Sequence, residues 1–200
     1  MRKFILLMLA VPLLYAVACN IQAQNKEKSA AAQEPKKETQ QALLERGEYL
    51  VNVIGCADCH APKKMTDRGP APDMDRYLSG FNSSQPLPNF DVKVMQRDRV
   101  VLFNPDLTAA AGPWGVSFAA NLTPDETGIG NWTLENFKRA ITEGKSKGLQ
   151  GARTLLPPMP WPNYKNLKDE DIEAIFTYLK SLKPVKNVVP NPIPPGAGKA

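Results

Sequence analysis

Cys56-Ala57-Asp58-Cys59-His60 gathers the most reactive side chains of the chain into one short stretch. On a helix, residues three apart face the same way, with Cβ atoms about 5–6 Å apart. Two thiols so placed can add to the two vinyl groups on one side of a haem. The next residue, a histidine, can then reach the iron from that side, and Cys-x-x-Cys-His is the pattern of c-type haem attachment. Other readings fit less well. A thioredoxin-like pair opens a helix after a strand, whereas the residues before Cys56 repeat at helical spacing. Structural zinc takes four Cys or His ligands, more than the two cysteines and one histidine of the expected folded domain. A disulfide of this spacing leaves His60 unexplained.

His60 is the only histidine in the chain, so a second axial ligand of the usual kind must be a methionine. Of the six methionines, Met1 and Met8 belong to the leader. Met65 follows His60 too closely to reach the opposite side of the ring. Met74, Met95 and Met159 remain. Met159 is preferred because Pro157, Pro158 and Pro160 stiffen its loop, and a pre-ordered loop lowers the entropy cost of holding a weak thioether ligand. Its plain alternative is packing beside Trp161. Met74, within Pro72-Asp73-Met74-Asp75, is the competitor.

The elements that must position these groups are mostly helical. Leu43, Leu44, Leu50, Val51 and Ile54 recur at helical spacings and predict a helix running into Cys56. Gly47 inside it costs about 1 kcal/mol against Ala, which makes sense if another helix crosses there. Residues 61–122 are turn-rich, with a short hairpin strand expected around Val92 to Phe103. Thr133 is a ready N-cap for a helix to Thr142, with Gly144 as its stop. The clearest element is a final helix from about Asp169 to Leu182, acidic in its first turn, with an apolar stripe of Ile172, Ile175, Phe176, Leu179 and Leu182. Beyond Pro184 the tail should lie extended on the surface or stay loose.

The chain's beginning reads as an export leader. Arg2 and Lys3 precede an apolar run from Phe4 to Ala18, which fits a secretory signal better than a permanent span of ~20 residues. Ala16-Val17-Ala18-Cys19 resembles a bacterial lipobox, with Cys19 as the lipidated first residue. Cleavage by the general signal peptidase is the alternative. The expected layout is a signal at 1–18, a polar tether at 19–41, a folded domain at 42–188 and a Pro/Gly-rich tail at 189–200. The composition is 42% hydrophobic, enough for a core, although 19 prolines and 13 glycines announce irregular stretches. The formal charge of +5 is scattered, with no basic stripe of the kind nucleic-acid binding needs.

With these residues in view, the chain resembles the class I c-type cytochromes, in particular a bacterial group found beside periplasmic dehydrogenases and oxidases. The matching stretches are Arg46-Gly47-Glu48-Tyr49-Leu50, Gly112-Pro113-Trp114-Gly115, Asn121-Leu122-Thr123-Pro124-Asp125, Thr127-Gly128-Ile129-Gly130 with Trp132, and Pro157-Pro158-Met159-Pro160-Trp161. The resemblance implies a crossing of the first and last helices at Gly47, with Tyr178 and Ile175 as contacts. It also implies a proline carbonyl, Pro70 or Pro72, receiving the Nδ1–H of His60. Trp132 is a candidate donor to a haem propionate, since a buried indole N–H wants a partner, and Arg153 is a candidate charge partner. The residues between the haem motif and Asn121 exceed what a minimal single-haem domain needs and carry no second motif.

The reading is therefore a mostly α, cytochrome c-like fold around one covalent haem c, with an irregular or hairpin insertion. The function is electron transfer, not catalysis, by a carrier tethered through lipid at the periplasmic or extracytoplasmic membrane face. Its partners are redox proteins (a dehydrogenase, an oxidase or another cytochrome) and not nucleic acid. Lys63, Lys64 and Arg68 are candidates for steering acidic partners. A haem enzyme or gas sensor with an open or labile sixth iron position is the alternative. A non-catalytic haem subunit of a larger oxidoreductase shares the first chemistry.

Overall fold

The side chain of Thr39 accepts a hydrogen bond from the Ala42 amide at 3.2 Å, capping helix α1, Gln40–Val53. The structure, a computed structural model, describes residues 39–195. The leader, Cys19, most of the expected tether and residues 196–200 lie outside the described residues. Helix α1 starts at Gln40, inside the last residues assigned to the tether.

Helix α1 does not run straight into the haem motif. Gly55, at φ +77°, takes a left-handed turn and separates it from helix α2, Cys56–His60. A hairpin follows, with strands β1 (Lys63–Thr66) and β2 (Gly69–Pro72) paired so that Lys63 faces Pro72 and Thr66 faces Gly69. The stretch expected to hold a hairpin strand is instead mainly helix α3, Val92–Asp98. Asp91 decides this locally, because its carboxylate accepts from the Lys93 and Val94 amides at 2.9 and 3.1 Å, an N-cap that outweighs the short apolar alternation. Only Leu102–Phe103 forms a strand, β3, in the order β3-β4-β5 with Ala109–Gly112 and Gly115–Phe118.

Helix α4, Leu134–Thr142, carries a capping box: Thr133 accepts from the Asn136 amide and Asn136 accepts from the Thr133 amide. The short helix α5 spans Trp161–Tyr164, and α6 spans Asp169–Ser181. Asp169, Glu170 and Asp171 in the first turn of α6 and Lys180 in its last complement the helix dipole.

The core forms where α1, α4 and α6 meet. Val51, Leu78, Ile129, Phe137, Ile141, Ile172, Ile175 and Leu179 are its buried members, and Cys56 and Ala57 of the haem motif pack against it. At the α1–α6 crossing, a Cβ on Gly47 would stand 2.1 Å from the Ala174 carbonyl oxygen and 2.7 Å from Tyr178 Cβ. The close approach and Tyr178 agree with expectation; the nearest backbone is that of Ala174, and Ile175, its neighbour, is buried in the core. Arg46 Nε donates to Asp171 at 2.7 Å across the same crossing.

The tail takes the extended alternative as far as it is described. Ile193 pairs with Val116 through bonds of 2.8 and 2.9 Å, and Gly115 is needed because a Cβ there would meet the Ile193 carbonyl at 2.0 Å. No described helix is long and apolar enough to cross a membrane.

Candidate haem site

Helix α2 presents Cys56 and Cys59 one turn apart, both half-buried and neither in a disulfide. Burial pushes the Cys56 thiol up to about 11, with its own backbone acting the other way. Burial raises Cys59 too, with Asp58 adding to the effect and Lys63 opposing it. Both sulfurs are thus neutral thiols in partly apolar surroundings. Tyr164 of α5 is close enough to feel charge on both, and Tyr77 to feel it on Cys56.

His60 ends α2, and its Nδ1 lies 2.8 Å from the Ala120 carbonyl oxygen. A carbonyl only accepts, so the proton sits on Nδ1 and Nε2 keeps its lone pair for a metal. Burial lowers the imidazole pKa, the Ala120 carbonyl raises it, and Lys63 lowers it further, which favours the neutral, ligating form. The acceptor corrects the expectation of Pro70 or Pro72, both of which lie in β2.

Gly80 makes this bond geometrically possible. Its amide donates to the His60 carbonyl at 2.7 Å, and a Cβ on it would meet Ala119 O at 2.4 Å and Ala120 O at 2.6 Å. At φ +76° it also occupies a left-handed conformation that favours glycine. Arg76 Nε and Ser79 Oγ, in the same segment, are buried without a hydrogen-bond partner among the described residues. Such donors call for an acidic or polar group. Sequence reasoning singled out neither of them, nor Gly80 or Ala120.

The three methionine candidates occupy different surroundings. Met74 is 71% exposed and lines a cleft with Glu48, Tyr77, Tyr178 and Lys183, beside the α1–α6 pair. Met95 lies half-buried on α3. Met159 is half-buried in a loop held at both ends. Before it, Ser117 Oγ donates to the Pro157 carbonyl at 2.6 Å, and Leu155 N donates to Gly144 O at 2.6 Å. After it, the Trp161 ring fills the space beside Gly144, where a Cβ would come within 2.4 Å. One segment therefore bonds to both stretches: Ser117 to the Pro157 carbonyl of the Met159 loop, and Ala120 to His60. Three residues of extended chain span at most about 10 Å.

The remaining candidates are less engaged. Trp132 packs, half-buried, against the core cluster. Arg153 is exposed and donates from Nη1 to the Thr154 carbonyl at 3.0 Å. Of the three cations thought to steer partners, Lys64 bridges Asp73 and Asp75 at 2.7 and 3.1 Å. Lys63 is turned inward onto backbone carbonyls, and Arg68 is exposed.

Paired free thiols on one helical turn, a histidine held as a metal-binding tautomer, and unpartnered buried donors in the segment that leads to Gly80 fit a covalent c-type haem. Residues 44–183 match the cytochrome c family, and the chain belongs to it. The chain is 31% identical over 147 residues to the cytochrome c subunit of the quinone alcohol dehydrogenase of Gluconobacter oxydans, covering 72% of this chain and 23% of that protein. It is 30% identical over 138 residues to the gluconate 2-dehydrogenase cytochrome c subunit of Pantoea cypripedii, covering 68% of this chain and 22% of that protein. Over 79 residues it is 40% identical to a nicotinate dehydrogenase subunit of Pseudomonas putida, covering 39% of this chain and 6% of that protein. The chain thus spans under a quarter of the length of each of these relatives.

Proposed function

We propose that the chain is a single-haem electron carrier with His60 and Met159 as axial ligands, delivering electrons to or from an extracytoplasmic oxidoreductase. The bound haem would supply a one-electron iron couple. Cys56 and Cys59 would hold it covalently and His60 Nε2 would bind the iron, with the Ala120 carbonyl orienting the imidazole. The observation that carries the ligand pair is the shared 117–120 segment, whose two ends hold the Met159 loop and His60. A thioether as the second iron ligand would raise the potential and leave no open position for a substrate. Trp132, Arg153 and Arg76 are the candidates for the propionates.

The apolar run before Cys19 and the lipobox-like Ala16-Val17-Ala18-Cys19 support export and lipid anchoring. That three relatives are dehydrogenase subunits favours a dehydrogenase as partner. A stable complex on purification would mark a permanent subunit, and its absence a mobile carrier.

Mass spectrometry of the denatured protein, matured with haem-attachment machinery, tests the reading. One added haem, lost in the Cys56→Ser/Cys59→Ser double variant, is the expected result. A chain without covalent haem overturns it. Ready binding of carbon monoxide to the reduced native protein would mark an open iron position and favour an enzyme or gas sensor.

A further inference from the structure

We propose that Lys63 plants a fixed positive charge at the C-terminal end of the haem-motif helix and thereby raises the reduction potential of the iron bound by His60. The proposal rests on the haem ligation argued above. An ammonium has three N–H donors, and Lys63 Nζ lies 2.9 Å from Ala57 O, 3.0 Å from Asp58 O and 2.5 Å from Ala61 O. All three are carbonyls in or just beyond the last turn of α2, the end of a helix that carries partial negative charge; the Ala57 carbonyl also accepts from the Ala61 amide at 3.2 Å. A fourth carbonyl, Asp106 O, stands 3.5 Å away in the β3–β4 turn. The side chain is half-buried, and its charge is close enough to act on Cys59 and His60.

Sequence alone suggests a surface lysine waiting for a partner; the structure turns it into a clamp. A cation lodged here, partly screened from water, disfavours the extra positive charge of ferric iron and so favours uptake of one electron. Asp106 is the counterweight. It acts on Lys63 electrostatically, and its Oδ2 is buried without a hydrogen-bond partner among the described residues. Lys63 is a positioning residue, since it reaches the iron site through the backbone of α2 and through its field.

The test is a spectroelectrochemical titration of the mature holoprotein, with the optical spectrum recorded for each variant. Lys63→Met should lower the ferrous-to-ferric ratio at a fixed ambient potential about tenfold, a downward shift of about 59 mV for one electron. Lys63→Arg should retain most of the wild-type value, and Asp106→Asn should shift the potential upward. A loss of packing alone would not give opposite signs for these two neutralisations. An unchanged potential in Lys63→Met with an intact spectrum overturns the proposal. Should Lys63→Met fail to mature, Asp106→Asn decides, and an unchanged or lower potential overturns it. A wild-type spectrum without low-spin haem would instead overturn the ligation on which the proposal rests.

Discussion

Gly47 and Ala174 meet backbone to backbone, so closely that a Cβ on Gly47 would stand 2.1 Å from the Ala174 carbonyl oxygen. Two effects of Gly47→Ala oppose each other. Helix propensity favours Ala by about 1 kcal/mol, while overpacking costs about 1–3 kcal/mol even where side chains can adjust. Here the obstacle is a helix backbone, so the clash wins. The variant should lose about 1–2 kcal/mol net, read as a lower guanidinium midpoint; a higher midpoint would show that α1 and α6 part easily.

Asn187 ties the described tail to the core. It is 2% exposed, accepts from Ser83 N and Oγ at 3.1 and 2.8 Å, and donates to Ser79 O and Phe81 O at 2.7 and 2.8 Å. Asn187→Ala leaves several of these groups unpaired in the interior, at about 1–3 kcal/mol each when no water reaches them. Stability should fall by about 2–4 kcal/mol, making this one of the costliest single changes outside the haem motif. Chemical denaturation measures it, and a loss below about 0.5 kcal/mol contradicts the network.

Asp125 supplies a pH dependence. The Thr127 hydroxyl and amide donate to one carboxylate oxygen at 2.5 and 2.8 Å and hold its pKa below the ordinary value of 3.8. A depressed folded-state pKa contributes stability that is complete above the unfolded value and lost as pH falls through the folded one. Asp125→Asn should therefore melt below wild type at pH 7, and the two Tm values should converge below about pH 4. A constant difference across that range would mean the charge is not involved.

Gly80→Ala should act on the iron site itself. The new methyl meets Ala119 and Ala120 at the place where the Ala120 carbonyl holds His60, and φ +76° adds strain of about 1–2 kcal/mol. The expected result is lower stability together with a greater high-spin fraction in the ferric spectrum. Stability loss with an unchanged spectrum would separate Gly80 from histidine orientation.

What the sequence disclosed was what local chemistry controls. Cys56, Cys59 and His60 form a contiguous motif; the Thr133 cap and the acidic first turn at Asp169 mark helix starts that the structure reproduces. Gly47 was legible because a glycine inside a periodic helix needs a reason. The misreading of Val92 to Phe103 came from weighing a weak apolar alternation above the Asp91 cap, a signal that was present. The hydrogen bond from His60 to Ala120 was out of reach, since a backbone carbonyl sixty residues away carries no side-chain signature. The inward turn of Lys63 was equally hidden, because an ammonium that caps carbonyls and one in solvent look alike in sequence.

The central claim, His60 and Met159 on one covalently held iron, is tested most directly by the ferric optical spectrum of three mature proteins. Wild type should show the weak far-red band of a methionine sulfur bound to ferric haem. Met159→Ala should lose that band and Met74→Ala should keep it. A band that survives in Met159→Ala, or vanishes in Met74→Ala alone, would contradict the ligand assignment.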